Sequence, residues 1–336
     1  MISFIKKMVN LGFEIAMPII SFMLPILLLI VPLLILVAYL TFAERKVIGY
    51  IQLRTGPTKT GPFGLLQAFA DAVKLMHKEI IMPSKANRFI FMAAPIITFV
   101  MNIGAWCVIP LTAQGALIDS NVSLIFILAC SSLAGYGVML GGWASHSEYP
   151  FLGAIRSIAQ MISYEISLGF IILTIIITAE STSLSAIVNA QKNCWFIIPH
   201  LPLAFMFFVI ALAETSRAPF DLPEAESELV SGYNTEYSSM PFSLFFLGEY
   251  AAMFLMSTLT TLLFFGGWLS PIAALSFIPG FVWLAIKVSF FLFCFLWIRA
   301  SLPRFRYDHL MRLGWKIFLP WSLSWMILTG VVKWIF

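Results

Sequence analysis

Long apolar runs separated by polar connections dominate the chain. A helix of roughly 20 apolar residues crosses about 30 Å of hydrocarbon, and the runs have that length. Eight spans are predicted, near residues 17–43, 89–111, 122–144, 158–179, 195–213, 241–267, 273–298 and 317–335. The pattern predicts an all-α polytopic membrane protein, with residues 1–336 forming one membrane domain.

The first apolar run is longer than the hydrocarbon core is thick. At about 1.5 Å per residue, residues 17–43 would reach about 40 Å, so this helix is expected to tilt or bend. Pro18, Pro25 and Pro32 recur at seven-residue intervals and are the expected kink points.

A second kind of periodicity follows the first span, over residues 63–82. Apolar residues recur at helical spacing on one face, and Gln67, Asp71, Lys74 and Lys78 fall on the other. The apolar set is Leu66, Phe69, Ala70, Val73, Met76 and Ile80. The pattern predicts an amphipathic helix lying in the membrane interface, which could equally be a plain anchor helix.

Composition supports the membrane assignment. The chain is 60% hydrophobic and 11% charged, whereas soluble domains carry about 25% charged residues. There are no basic tracts, so nucleic acid is not an expected partner. The 4 Cys and 4 His are scattered, without a C-x-x-C pair. We therefore expect no metal site, iron–sulfur cluster, haem or disulfide in this chain.

The basic residues divide unequally between the two sides of the membrane. Most of the 20 Lys and Arg residues fall in the connections after the first, third, fifth and seventh spans. Positive charge favours the cytoplasmic or matrix side, which puts both termini opposite, in the periplasm or intermembrane space. The long polar connections then share one face, and such a face is expected to dock against another protein.

The densest group of charges lies between the fifth and sixth spans, over residues 214–240. It contains one base, Arg217. Its acids are Glu214, Asp221, Glu224, Glu226, Glu228 and Glu236. A buried carboxylate costs several kcal/mol unless it is paired, hydrogen-bonded or protonated. The cluster is therefore better suited to holding or passing protons than to stabilising the fold.

Four charged residues interrupt apolar runs or end them. These are Glu165, Glu214, Glu249 and Lys287. Ionisable groups at membrane depth are functional candidates, although a set of internal ion pairs that fixes the packing would give the same pattern. Tyr164 and Tyr250 adjoin two of the acids and could extend a proton relay, or could be interface aromatics. Basic residues at the span ends, including Arg45 and Arg299, could equally be snorkelling at the interface.

Several longer motifs resemble those of a known family. They are ERKVIGYIQLRTGP, GAIRSIAQMISYE, AETSRAPFDLPEAESELVSGYNTEYSSM, FFLGEY and RASLPRFRYDHLMRLGWK. They are similar to signatures of subunit 1 of respiratory complex I, NADH:ubiquinone oxidoreductase, over about residues 36–323. The resemblance implies eight core spans, part of a quinone chamber, and a polar path from it towards proton-pumping subunits.

The same resemblance implies roles for individual residues. Arg45 and Arg299 would line the chamber, and Arg54 with the amphipathic helix would lie where quinone enters from lipid. Asp71 and Glu79 match acids of that helix. The loop facing the chamber would supply Arg217, Asp221, Glu224, Glu226 and Glu228. The acidic path would use Glu165, Glu214 and Glu249, with Tyr164, Tyr250 and Lys287 as further candidates from their position in the spans.

The implied function is that of a subunit, in the mitochondrial inner membrane or the bacterial plasma membrane. No nucleotide, flavin or cluster motif is present, so FMN and iron–sulfur clusters are expected in hydrophilic partner subunits on the charged face. Antiporter-like membrane subunits are expected laterally, and ubiquinone or another quinone is the expected substrate. The alternatives are a membrane anchor of an energy-converting hydrogenase, a stand-alone ion-coupled transporter and a purely structural anchor.

Overall fold

The fold is built from α-helices. A computed structural model describes residues 2–113, 115–222, 230–271, 275 and 277–335, with side chains of the first helix described from Met23 onward and at Met17 and Ser21. The helices are α1 (Ile2–Ile51), α2 (Gln67–His77), α3 (Arg88–Gly104), α4 (Ser123–Ala144), α5 (Glu148–Ala179), α6 (Leu184–Ala190), α7 (Leu201–Glu214), α8 (Ser239–Phe264), α9 (Gly280–Ser301), α10 (Tyr307–Arg312) and α11 (Leu319–Ile335). A π-helical turn, Leu313–Phe318, joins α10 to α11.

Seven helical segments in the described part of the chain are long and apolar enough to cross a membrane. The remaining predicted span, the fifth (195–213), corresponds to α7, which is apolar but has 14 residues. The all-α polytopic class is therefore confirmed. Pro199 precedes α7, and Pro202 lies in its first turn. Because proline disfavours the helical conformation in the residue before it, these two residues start the helix later than residue 195, where hydropathy placed it.

Other predicted span boundaries were also wrong. The predicted span 158–179 is the second half of α5, which begins at Glu148 and so places Arg156 in a helix. The predicted span 273–298 begins at Gly280 and continues to Ser301, so Arg299 lies in the last turn of α9. In both cases polar residues continue the helix beyond its apolar part. Helix α1 runs through Pro25 and Pro32 as one 50-residue element.

The amphipathic helix is shorter than predicted. Helix α2 covers Gln67–His77 rather than residues 63–82, so Glu79 lies beyond it. The Ser239 hydroxyl donates to the carbonyl groups of Leu75 (2.9 Å) and Lys78 (2.6 Å). These bonds satisfy carbonyl groups that a helix end leaves unpaired. The start of α8 therefore holds the segment after α2 against the bundle.

Small residues allow the helices around the polar interior to approach closely. A Cβ atom at Gly137 of α4 would lie 2.1 Å from Thr98 Oγ1 and 2.9 Å from the Ala94 carbonyl oxygen of α3. A Cβ atom at Gly153 of α5 would lie 2.8 Å from the backbone of Tyr233. Small residues at such contacts let backbones meet inside a membrane. The second contact fixes the turn before α8, which carries Tyr233 to the site described below.

Candidate functional site

Two cavities lie close together in the described part of the bundle. The larger, of about 720 Å³, opens between α1, α2, α8 and α9. The smaller, of about 60 Å³, lies between α3, α4, α5, α7 and α8. The larger has the size of a small-molecule site, and the smaller has room for a few water molecules.

Glu44, in α1, lies in the wall of the larger cavity and is 5% exposed. Its Oε1 atom accepts a hydrogen bond from Arg299 of α9. Its Oε2 atom accepts one from the Tyr250 hydroxyl of α8 at 2.5 Å. Arg217 Nη1 lies 4.0 Å from Oε1. One carboxylate thus joins α1, α8, α9 and the loop after α7.

Arg217 extends this cluster inward. Its Nη2 atom lies 3.3 Å from Glu249 Oε2, and both side chains are almost fully buried. The guanidinium group also lies over the Tyr250 ring, 4.3 Å from its centre. The Tyr233 hydroxyl donates to Glu249 Oε1 at 2.5 Å. Arg217 is therefore held between Glu44, which faces the larger cavity, and Glu249, which lines the smaller one.

Several polar side chains contribute to the otherwise apolar lining of the smaller cavity. Glu214, at the end of α7, faces it together with Glu249, Thr98, Asn102 and Ser131. Among the described residues, none provides a hydrogen-bond partner for Glu214 Oε2, which is buried. Glu165 interacts electrostatically with Glu214 and accepts a hydrogen bond from Ser132 of α4. A water molecule in the cavity would satisfy the unpaired oxygen and connect the acids.

Asp221 occupies the loop after α7. Its Oδ2 atom lies 3.1 Å from Arg304 Nη2, while its buried Oδ1 atom has no hydrogen-bond partner among the described residues. Burial raises the pKa of Asp221 to about 6; Arg304 opposes the rise, the Glu249 charge adds to it and Arg217 opposes it. The carboxyl group therefore titrates near pH 6, and the main cause of this raised pKa is its removal from water.

The outer wall of the larger cavity carries the remaining predicted arginines. Arg45 Nη1 lies 2.7 Å from Asp71 Oδ2, which joins α1 to α2. The Gln67 side-chain amide also donates to Asp71 at 3.0 Å. Arg54 lines the same cavity. The predicted residues Arg45, Arg54, Asp71, Tyr250 and Arg299 thus share one cavity.

Other predicted site residues lie elsewhere. Tyr164 donates its hydroxyl to the Leu310 carbonyl at 2.9 Å rather than to Glu165. Lys287 Nζ donates to the carbonyl groups of Phe265, Gly267 and Leu269 at 2.7–2.9 Å, at the far end of α8 from Glu249. Glu79 is exposed and does not line either cavity. Glu224, Glu226 and Glu228 lie outside the described residues.

Two central residues, Glu44 and Tyr233, were missing from the predicted site. Glu44 follows the predicted first span and was treated as the start of a polar segment, although the motif ERKVIGY begins with it. Its position as an acid at the end of an apolar run could have identified Glu44 as a candidate site residue. Tyr233 lies in the polar connection before α8 and had no comparable indication. No group of three or more His, Cys, Asp or Glu able to hold a metal occurs among the described residues.

The fold and the site define a class: a polytopic helical membrane protein with a buried, ionisable network beside a cavity large enough for an organic ligand. The family model described as NADH dehydrogenase matches residues 24–330. The chain therefore belongs to the NADH dehydrogenase family.

Three relatives that match most of the chain are H subunits of NADH-quinone oxidoreductase. The chain is 56% identical over 329 residues to the H subunit of Rickettsia felis, covering 97% of each protein. It is 57% identical over 297 residues to the H subunit of Rhodospirillum rubrum, covering 88% of each. The H subunit of Rhodospirillum centenum is 56% identical over 298 residues, covering 88% of this chain and 89% of that protein.

Proposed function

We propose that this chain, a membrane subunit of NADH-quinone oxidoreductase, forms part of the quinone chamber and transmits the charge change of quinone reduction into the membrane. One observation carries the proposal. The series Arg299–Glu44–Arg217–Glu249 begins in the wall of the larger cavity and ends in the wall of the smaller, acid-lined one. Each member contacts the next, and the inner members are buried.

Quinone would occupy the larger cavity. Its wall combines apolar groups from α1 and α8 with the charged groups of Arg45, Arg54, Glu44 and Arg299. Apolar surface suits an isoprenoid-bearing ring, and a few polar groups can orient its carbonyl oxygens. The opening beside α2 lies where an amphipathic helix in the membrane interface would admit a ligand from lipid.

Charge transmission follows from the arrangement of ion pairs. Reduction of a quinone takes up two protons, and a proton taken from this network changes its charge. At an effective dielectric constant of about 20, a pair of charges about 4 Å apart interacts by about 4 kcal/mol. Loss of one charge near Glu44 would therefore move the Arg217 guanidinium group relative to Glu44 and Glu249, and change the electric field at Glu249 and Glu214.

The wider assembly is part of the same proposal. FMN and iron–sulfur clusters are carried by hydrophilic partner subunits on the face bearing Arg45, Arg54 and Arg304, and antiporter-like membrane subunits lie laterally. That face points to the cytoplasm or matrix, and both termini lie on the opposite side of the bacterial plasma membrane or mitochondrial inner membrane. This orientation requires α7, despite its length, to count as a crossing.

The test uses the assembled complex in proteoliposomes. Glu249→Gln keeps the shape of the side chain and removes its charge, and is expected to lower proton translocation per quinone reduced at least severalfold. Glu180→Gln is the control, because Glu180 pairs with Lys333 and has a 76% exposed side chain. Full proton translocation in the Glu249 variant would overturn the coupling role.

Two further measurements test the alternative functions. Ion uptake by this chain alone would favour the stand-alone transporter. Absence of quinone-dependent turnover in the assembled complex would favour the membrane anchor of a hydrogenase.

A further inference from the structure

The turn that carries Arg217, residues 215–219, is held at both ends by one buried side chain from another helix. Gln160, in α5, is 0% exposed. Its Nε2 atom donates to the carbonyl oxygen of Ala213 at 2.7 Å and to that of Phe220 at 3.0 Å. Ala213 lies in the last turn of α7, and Phe220 follows the turn. Arg217 lies between these two anchor points, and Asp221 comes directly after the second.

The chemistry of glutamine suits this contact. Both partners are carbonyl oxygens, so the amide must present its two N–H donors to them. No described residue donates to Gln160 Oε1, which is buried. The side chain therefore serves as a double donor. Glutamate would present oxygens to both carbonyl groups, methionine has no donor, and asparagine is one methylene group shorter.

The turn is held on its other side by the segment after α9. The Phe305 backbone N–H donates to the Pro219 carbonyl oxygen at 3.0 Å, and the rings of Phe220 and Phe305 stack with their centres 5.5 Å apart. Arg304, the preceding residue, pairs with Asp221. The turn is thus clamped between α5 and the segment after α9, and Gln160 supplies the hydrogen bonds from α5.

We propose that Gln160 is a positioning residue for quinone turnover: it fixes the turn so that Arg217 reaches both Glu44 and Glu249 and Asp221 reaches Arg304. Gln160 lines neither cavity, so it would act through these residues and not by contact with quinone. This inference rests on the proposed function, because it assumes that the Arg217 network takes part in quinone reduction.

The chain offers a matched control. Gln191 is also 0% exposed, and its side chain also bridges backbone groups, although it does so with one donor and one acceptor. Its Nε2 atom donates to the Leu262 carbonyl oxygen at 2.8 Å, and its Oε1 atom accepts from the Gly266 N–H at 2.9 Å. These contacts lie at the opposite end of α8 from Glu249. Gln191→Met therefore measures the general cost of losing a buried glutamine clamp.

The experiment compares Gln160→Met and Gln191→Met in the assembled complex, with a short-chain ubiquinone as substrate. Loss of two buried hydrogen bonds at Gln160 is expected to lower kcat/KM for the quinone by roughly tenfold to a hundredfold. It should also shift the pH profile of quinone reduction, since the surroundings of Asp221 change. Gln191→Met is expected to lower thermal stability and leave both readouts unchanged.

Each outcome decides the question. If both variants lose only stability, Gln160 is structural and the inference is overturned. If Gln160→Met does not assemble, Gln160→Asn, which keeps both donors on a shorter arm, is judged by the same two readouts. Arg217→Met separates this inference from the proposed function. Unchanged quinone kinetics in Arg217→Met would refute the proposed function, whereas a defect there with normal kinetics in Gln160→Met would refute the positioning role alone.

Discussion

Arg217 and Glu249 form a buried ion pair in which Nη2 lies 3.3 Å from Oε2 and the side chains are 7% and 14% exposed. Removing one member of such a pair leaves the other charge in a poorly solvated place, which costs about 3–5 kcal/mol. Arg217→Met is therefore expected to lower the unfolding temperature of the purified complex more than removal of both charges.

A double-mutant cycle checks this prediction. Arg217→Met, Glu249→Gln and the double variant are compared by thermal unfolding and by quinone reduction. The double variant should be more stable than Arg217→Met alone, because no uncompensated Glu249 carboxylate remains. Strictly additive losses would show that the two residues do not depend on each other.

Glu44 is expected to be as important as any residue of the predicted site. Glu44→Gln removes the charge that holds Arg299 and lies near Arg217, and a charge-assisted hydrogen bond contributes about 1.5–3 kcal/mol. We expect kcat/KM for quinone to fall roughly tenfold to a hundredfold. The control is Glu79→Gln, at an exposed position that lines neither cavity. Equal effects of the two changes would contradict the assignment of Glu44.

The raised pKa of Asp221 predicts how the stability of the protein and its quinone reduction depend on pH. Its folded-state pKa, about 6, lies above the ordinary value of 3.8. The folded state therefore binds more protons in this interval, and the contribution of Asp221 to stability is fully present below 3.8 and lost as the pH rises through about 6. Arg304→Met removes an opposing charge, so the pKa should rise further.

The measurement is quinone reduction by the assembled complex from about pH 5 to about pH 8, an interval that brackets the Asp221 titration. A limb of the profile near pH 6 should move to higher pH in Arg304→Met and disappear in Asp221→Asn. Lys316→Met, at an exposed position outside the pair, is the charge control. A profile that is the same in all three variants would mean that Asp221 does not titrate during turnover.

A variant of Lys287 tests whether this residue has a structural role or the proton-path role that was predicted from the sequence. Its ammonium group donates to three carbonyl groups near the end of α8 and lies 4.5 Å from the centre of the Trp195 ring. Lys287→Met leaves those carbonyl groups unpaired, at a cost of about 1–3 kcal/mol. We expect a lower unfolding temperature and an unchanged number of protons translocated per quinone. A changed number would restore Lys287 to the proton path.

The existence of the helices could be read from apolar runs, but their ends could not. Hydropathy does not register that Glu148 and Arg299 continue their helices, because polar residues can continue a helix beyond its apolar part. It also overlooks the prolines that delay α7. The first span ended one residue before Glu44 in the prediction, and so a central acid was assigned to a connection.

The sequence could not predict which side chains pair across long distances along the chain, for a different reason. Glu44 and Arg299 are 255 positions apart, and nothing local specifies which of several arginines a buried acid will meet. Tyr250 adjoins Glu249 in the sequence, and a relay link to that acid was one of its two predicted roles. Successive helical residues point about 100° apart because there are about 3.6 residues per turn. Tyr250 therefore reaches Glu44, while Glu249 turns towards the smaller cavity.

The length of α7 has an electrical consequence. Its 14 residues rise about 21 Å, so at least one end falls short of the surface of a hydrocarbon layer about 30 Å thick. Glu214 terminates this helix beside the smaller cavity. If this is the end that falls short, the insulating layer is thinner there, and the membrane voltage drops over a shorter distance. Under the proposed function, a proton that reached Glu214 would have crossed part of that voltage drop, and less work would remain for the rest of its passage.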